Sequence, residues 1–327
     1  MPTACRSTDK GHNEPSALPP LRVMLAAPRG FCAGVERAIQ AVEAALDRFG
    51  APVYVRRPIV HNLRVIRNLE AKGAVFVEEL DEVPAGAVVL FSAHGVAPEI
   101  AEDAKRRSLI AFDAVCPLVL KVHREVVRHH RNGRHVILVG HDGHPEVEGT
   151  IGQLPAGAAS IVNSPFEVQA LQLPRSAPVA YAIQTTFAVG EAAEIVDAIL
   201  GRFDDVTGPS GSDICYATTN RQAALDDIAR EADAVIVAGA SFSSNANRLA
   251  DLARGAGCRS VQLVADAAEI DWDLLGKARV LGISAAASTP EASVQDILSA
   301  LADRFHIQVE ECSRMIETAS FRPLRFA

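Results

Sequence analysis

Phe112-Asp113-Ala114-Val115-Cys116-Pro117-Leu118 carries a short apolar approach to a cysteine, then a proline and the helix-like run LVLKVHREVVRHH. The order predicts a strand, a cysteine at its end, and a helix that begins at Pro117, where a missing N–H costs nothing. A lone cysteine of this kind is usually a small core hydrophobe. Here the arrangement occurs twice more. RGFCAGVERAIQAVEAAL sets Cys32 before a helical run, and SDICYATTNRQAALDDIA sets Cys215 before another.

Working outward, short apolar runs alternate with amphipathic stretches from Leu21 onward. Strands are expected at RVMLAAP, PVYVRR, AVVLFSA, HVILVGH, SIVNSP, VAYAIQTT, AVIVAGAS, SVQLVADA and RVLGISAA. Helices lie between them, among them ERAIQAVEAALDRFG, which ends on Gly50 as a C-cap. Near-continuous Val/Ile/Leu runs suit strands covered on both faces, so the fold class is α/β with parallel sheets. Cys32 to Cys116 spans 84 residues and Cys116 to Cys215 spans 99, each about one small α/β unit. Polar residues recur at matching offsets: His61 lies 29 after Cys32, while His144 and Ser243 lie 28 after Cys116 and Cys215. A looser set is His94 at 62, Thr185 at 69 and Ser288 at 73. Such self-similarity predicts three pseudo-symmetric βα modules. Their bounds are read as 21–115, 116–210 and 211–302, flanked by a flexible tail (1–20) and a C-terminal extension (303–327), neither assigned a function. Ligands of open α/β sheets bind beyond the carboxyl ends of the strands, where all nine of these residues fall. The cysteines would then converge on one point.

Bulk properties narrow the class. The chain has 327 residues, 49% hydrophobic and 22% charged, as in a soluble globular protein of two or three domains. A net charge of −8 argues against nucleic acid or an anionic membrane as the main partner. No apolar run reaches the roughly 20 residues that cross a bilayer. The Pro-rich start has no apolar core region and is not a secretory signal. Arg128, His129, His130, Arg131, Arg134 and His135 are expected as a solvated helix end. The cysteines are scattered along the chain without paired short spacings, so a reducing cytoplasm is expected and a disulfide framework is not. Cys5, Cys258 and Cys312 lack the strand–cysteine–helix setting and are read as incidental thiols.

Three converging thiolates point to a metal centre. A structural zinc site closes with four ligands, usually in C-x-x-C pairs, and none occurs here. An iron–sulfur cluster held by three cysteines leaves one iron open, which is a catalytic arrangement. Helix N-termini beside each cysteine would favour the thiolate. The spacing favours a cluster over zinc, with a cysteine nucleophile third. His61, His94, His144, Thr185, Ser243, Ser244, Asn245 and Ser288 are neutral or weakly basic donors that suit a phosphate or diphosphate. No Walker-type loop and no G-x-G-x-x-G follows the first strand, so neither nucleotide nor NAD is indicated. Glu146, two residues from His144, is the acid/base candidate; Glu148 reads better as a first-turn carboxylate of a helix.

The motifs APRGFCAGVERAI, VHN, FSAHGV, FDAVCPLVLKVH, GHDGHPEVEGT, QTT, DICYATTNRQ, SSNANRLA and SAAASTP occur in this order. With them the chain resembles the LytB family of 4-hydroxy-3-methylbut-2-enyl diphosphate reductases from about Leu21 to Glu291. The resemblance implies three α/β modules around one 4Fe-4S cluster held by Cys32, Cys116 and Cys215. It implies a diphosphate held by the donors named above, with Glu146 as proton relay beside Thr185. The implied reaction is reductive removal of an allylic hydroxyl, giving isopentenyl or dimethylallyl diphosphate, the last step of the methylerythritol phosphate route. Electrons would come from a carrier such as ferredoxin or flavodoxin. An iron–sulfur hydro-lyase and a zinc-thiolate binding protein remain the alternatives. One departure stands out: the family's last loop usually reads Thr-Ala-Gly-Ala-Ser, whereas here it is Ser284-Ala285-Ala286-Ala287-Ser288. Ala286 is expected to resist a positive φ and to displace Ser288.

Overall fold

The computed structural model describes residues 18–313 and 315–326; Cys5 and residues 1–17 of the expected tail lie outside the described residues. The first third runs β1 (Pro20–Ala27), α1 (Ala33–Phe49), β2 (Val53–Arg56), α2 (Leu63–Ala71), β3 (Ala74–Val77), β4 (Val88–Phe91), α3 (Pro98–Arg106) and β5 (Ile110–Asp113). The second runs α4 (Pro117–Arg131), β6 (His135–Val139), α5 (Pro145–Ile151), β7 (Ala159–Val162), α6 (Pro165–Ala170), β8 (Pro178–Ile183), α7 (Val189–Arg202) and β9 (Asp205–Thr207). The last runs α8 (Tyr216–Ala229), β10 (Ala234–Ala238), α9 (Ser244–Gly255), β11 (Ser260–Val264), β12 (Val280–Ala285), α10 (Glu291–Ala302) and β13 (His306–Ser313).

The strands form three parallel sheets, ordered β3-β2-β4-β5, β7-β6-β8-β9 and β11-β10-β12-β1-β13. The Val/Ile/Leu runs occupy buried strands as expected; AVIVA in β10 is buried at every position. Such strands need helices on both faces, which the βα crossovers supply. Gly50 caps α1 at φ +75°, its N–H donating to Leu46 O at 2.9 Å. The basic stretch at the end of α4 is only partly solvated. Arg128 and Arg131 are exposed, but His129 is buried, and Arg134 reaches Val179 O and the Asp205 carboxylate.

Each sheet repeats one order: the second strand of a unit, its first, its third, then the strand that leads to a cysteine. β5 precedes Cys116 and ends the first sheet; β9 precedes Cys215 and ends the second. By the same rule β1, which precedes Cys32, lies beside β12 in the third sheet, in register from Arg22↔Val280 to Leu25↔Ile283. The expected boundaries at Leu21 and after 302 therefore need correction. β1 does not pair with the strands that follow it, and the expected extension contributes β13, paired with β1 along its whole length. Beyond it, Leu324 and Phe326 pack on the core of the first sheet, with Phe326 edge-on to Phe112 at 4.7 Å. Among the described residues no helix is long and apolar enough to cross a membrane.

The loop after β12 also differs from expectation. Arg57 and Ser108 are the non-glycines at positive φ among the described residues, and Ala286 is not one of them. Ala286 N–H donates to Ala238 O at 2.9 Å, and its side chain is fully buried in the core. Room for that methyl comes from Gly239, where an added Cβ would lie 3.2 Å from Ala286 Cβ and 2.7 Å from Ala246 Cβ. Ser288 is accordingly not thrown out, and its Oγ donates to His61 O at 3.0 Å. Gly239→Ala is expected to cost about 1–3 kcal/mol through overpacking, read from urea unfolding, and adding Ala286→Gly should recover part of it. A Gly239→Ala chain as stable as the parent would contradict this packing.

Candidate functional site

Three cysteines occupy equivalent corners. Cys32, Cys116 and Cys215 are the N-cap residues of α1, α4 and α8, each with extended backbone. Backbone hydrogen bonds seat each corner on the preceding sheet: Cys116 N–H donates to Ala93 O at 2.9 Å, Cys215 N–H to Thr185 O at 3.1 Å, and Cys32 N–H to Ala287 O at 3.3 Å. These acceptors lie next to or at the polar residues of the looser set: His94, Thr185 and Ser288. The thiols therefore sit one hydrogen bond from the strand-end loops.

All three cysteines line one cavity that opens to solvent. Gly34 lets two of them come close, because an added Cβ would stand 2.8 Å from Cys116 Sγ and 3.8 Å from Cys32 Sγ. Cys215 Sγ lies 3.2 Å from Thr218 Oγ1 and accepts Thr218 N–H at 3.4 Å. Burial pushes the Cys116 thiol up to about 12 and the Cys215 thiol up to about 11, with the neighbouring cysteines adding to the shift. A thiolate centre here thus needs positive charge from whatever it binds. Among the described residues no three His, Cys, Asp or Glu side chains are grouped closely enough to hold a single metal ion. The three thiols line the same cavity. Cys258 and Cys312 are not part of it: Cys258 is buried in the core beneath β10 and Cys312 lies on β13.

The same cavity is lined by every polar residue expected there: His61, His94, His144, Glu146, Thr185, Ser243, Ser244, Asn245 and Ser288. His144 and Ser243 are the N-caps of α5 and α9, and His61 immediately precedes Asn62, the N-cap of α2. The matched offsets thus correspond to one loop repeated three times, between the first strand and second helix of each unit. The histidine rings meet: His61 lies 4.4 Å from His94 and 5.4 Å from His144, between centroids. Burial lowers His61 to about 4 and His144 to about 3; it also lowers His94, helped by the neighbouring rings and Arg57. They stand as neutral rings until an anion arrives. Both nitrogens of His61, Nε2 of His144 and Nδ2 of Asn245 are buried without partners, which is costly unless a ligand rich in acceptors satisfies them.

Glu146 is almost fully buried in the first turn of α5, with one carboxylate oxygen accepting Thr185 N–H at 2.6 Å and the other accepting Thr185 O–H at 2.9 Å. Burial raises it to about 7, with Asp213 adding to the shift against the two Thr185 bonds. Glu148, in the same turn, faces out to Arg57 at 2.5 Å. Four contributors escape a reading of the sequence: Thr186 on the cavity wall, Thr218 beside Cys215, Ser92 holding His94 Nδ1 at 3.1 Å, and buried Asp213. Thr218 at the third helical position after a capping cysteine is the one that a capping argument could have found.

The raised carboxyl has a stability consequence. Glu146 ionises near 4.5 when unfolded and near 7 when folded, so between those values the folded protein holds a proton that the unfolded chain has lost. Stability therefore falls as pH rises through this window and stays lower above it, by on the order of 3 kcal/mol. In metal-free protein, Glu146→Gln is expected to be more stable than the parent at pH 8 but not at pH 4, by denaturant unfolding. A stability difference independent of pH would contradict the raised carboxyl.

Comparison with known proteins agrees with this geometry. A family profile described as LytB protein matches residues 23–302. A 4-hydroxy-3-methylbut-2-enyl diphosphate reductase of Beijerinckia indica subsp. indica is 52% identical over 304 residues, covering 93% of this chain and 95% of its own length. That of Gluconobacter oxydans is 52% identical over 306 residues, covering 92% and 91%. Among solved structures, the E-1-hydroxy-2-methyl-but-2-enyl-4-diphosphate reductase of Plasmodium falciparum superposes with a TM-score of 0.87 at 35% identity, over 94% of this chain and 96% of its own. With the profile spanning most of the chain and relatives near half identity along it, the protein belongs to the LytB family.

Proposed function

We propose that the protein is a 4-hydroxy-3-methylbut-2-enyl diphosphate reductase, removing the allylic hydroxyl with two electrons and two protons to give water and isopentenyl or dimethylallyl diphosphate. The observation that carries this reading is that three capping cysteines, three neutral histidines and a carboxyl raised to about 7 face one cavity. Cys32, Cys116 and Cys215 would hold a 4Fe-4S cluster. Their buried thiols, pushed up by desolvation, suit a cationic group that stabilises the thiolates. When bound, the cluster supplies the electrons that break the carbon–oxygen bond.

The rest is done by the chain's own side chains. His61, His94, His144, Thr185, Ser243, Ser244, Asn245 and Ser288 would hold the diphosphate; the unpartnered His61, His144 and Asn245 nitrogens are donors waiting for phosphate oxygens. As the anion enters, it favours the protonated imidazoles that burial alone disfavours. Glu146 would deliver the proton that lets the hydroxyl leave as water. A carboxyl raised to about 7 is protonated near neutrality, and Thr185 fixes both of its oxygens. The second proton, at either end of the allylic anion, decides which product forms. Electrons would come from a small carrier such as ferredoxin or flavodoxin, in the cytoplasm, with neither nucleic acid nor membrane involved.

Anaerobic assays with reduced flavodoxin or ferredoxin test this directly, with the two five-carbon diphosphates as expected products. Turnover without any donor would overturn the reductase in favour of a hydro-lyase. Glu146→Gln is expected to keep iron and substrate binding while turnover falls by about 10²-fold or more. Loss of iron in that variant would contradict the proton-donor role. In the parent, turnover should fall as pH rises above about 7, where Glu146 no longer carries its proton.

A further inference from the structure

Each cysteine-capped helix carries one cationic side chain shortly after its cysteine: Arg37 at five residues past Cys32, Lys121 at five past Cys116 and Arg221 at six past Cys215. None of the three lines the cavity. Each instead reaches across to the backbone just ahead of a different cysteine. Arg37 Nη1 donates to Ala114 O at 3.2 Å and Val115 O at 3.0 Å, the two residues before Cys116. Lys121 Nζ donates to Ser212 O at 2.9 Å and to the Asp213 carboxylate at 3.1 Å, just before Cys215. Arg221 donates through Nε to Gly30 O at 2.9 Å and through Nη2 to Phe31 O at 3.1 Å, the two residues before Cys32. The contacts close a ring: the Cys32 helix holds the Cys116 corner, the Cys116 helix holds the Cys215 corner, and the Cys215 helix holds the Cys32 corner.

We infer that Arg37, Lys121 and Arg221 are positioning residues, a cyclic clamp that fixes the spacing of the three thiol-bearing corners. The three cysteines come from three sheets that share no strand-to-strand hydrogen bonds. Something else must set the distance between corners, and charge-assisted bonds to carbonyls and to the Asp213 carboxylate, at 2.9–3.2 Å, do this with little slack. Two of the three cations are themselves held by the C-terminal segment. Arg221 pairs with Glu317 at 2.9 Å, and Arg37 Nε donates to Arg322 O at 3.0 Å. Residues beyond β13 thus brace the clamp from outside, which gives that segment a task.

The inference rests on these cysteines being the ligands of one group, and its test separates the two ideas. In metal-free protein, the alkylation rate of each cysteine by iodoacetamide is followed by peptide mass spectrometry, with Cys258 as a control. Each substitution should act on the corner it holds: Arg37→Gln should speed Cys116, and Lys121→Met should speed Cys215, each about tenfold, while the other two cysteines change little. Lys121→Arg should restore the parent pattern. Arg221 is fully buried, so Arg221→Lys, which keeps the charge, is the gentler probe there, with Cys32 the cysteine affected. In reconstituted protein the same variants should lose iron to a chelator about 10-fold to 100-fold faster, as when partners behind metal ligands are removed. A uniform rise at all cysteines, or no rise, overturns the clamp. If the parent binds no iron while the corner-specific pattern holds, the clamp stands and the ligand reading fails.

Discussion

Everything about this site depends on a corner: the point where a strand completing one parallel sheet turns into the helix that packs the next unit. A cysteine at that corner is fixed by its N–H bond to a strand-end loop on one side and by the start of a helix on the other. Three such corners, one per sheet, bring three thiols to one cavity without any of them being neighbours in sequence. The strand exchange that achieves this is cyclic, since β1 joins the sheet built by the last third of the chain, between β12 and β13. The site therefore exists only when both ends of the chain are folded together. Binding a group across the three thiols would tie all three sheets at once.

The polar lining of the cavity trades stability for binding. Three histidines stripped of water, orphaned amide and imidazole nitrogens and a protonation-poised carboxyl all cost free energy in the empty protein. The well-packed sheets behind them, with Val53, Val55, Leu90, Ile137, Ile236 and Ile283 fully buried, supply the rigidity that keeps these groups from collapsing onto one another. A diphosphate repays the cost because it offers many acceptors and negative charge in one compact group. Preorganisation of this kind leaves little to be reorganised when charge develops during the reaction.

Much of this arrangement is visible in the residues themselves. Pro117 after Cys116, and helical runs after Cys32 and Cys215, mark the corners, because N-terminal helix positions have strong local preferences. The offsets of 28 and 29 to His61, His144 and Ser243 mark one loop used three times. Sheet membership was less accessible. RVMLAAP announces a buried strand, but parallel neighbours leave no local mark, so its place beside β12 could not be read. HIQVEECS is mostly exposed on an edge and lacks the apolar signature of a strand. Ala286 was misjudged because propensity considers one residue at a time, whereas its methyl is accommodated by Gly239 on the neighbouring strand's exit. The clamp of Arg37, Lys121 and Arg221 leaves little mark in the sequence, because its partners are mostly carbonyl oxygens, which every residue has.

The central claim is that the three corners hold a cluster with one position left for the substrate. Anaerobic Mössbauer spectroscopy of iron-57-reconstituted protein, with and without the allylic diphosphate, tests it most directly. The account predicts about four iron and four sulfide per chain, with one iron distinct from the rest and its signal alone shifting when substrate is added. Four equivalent irons unmoved by substrate, or a colourless protein holding one zinc, would contradict it.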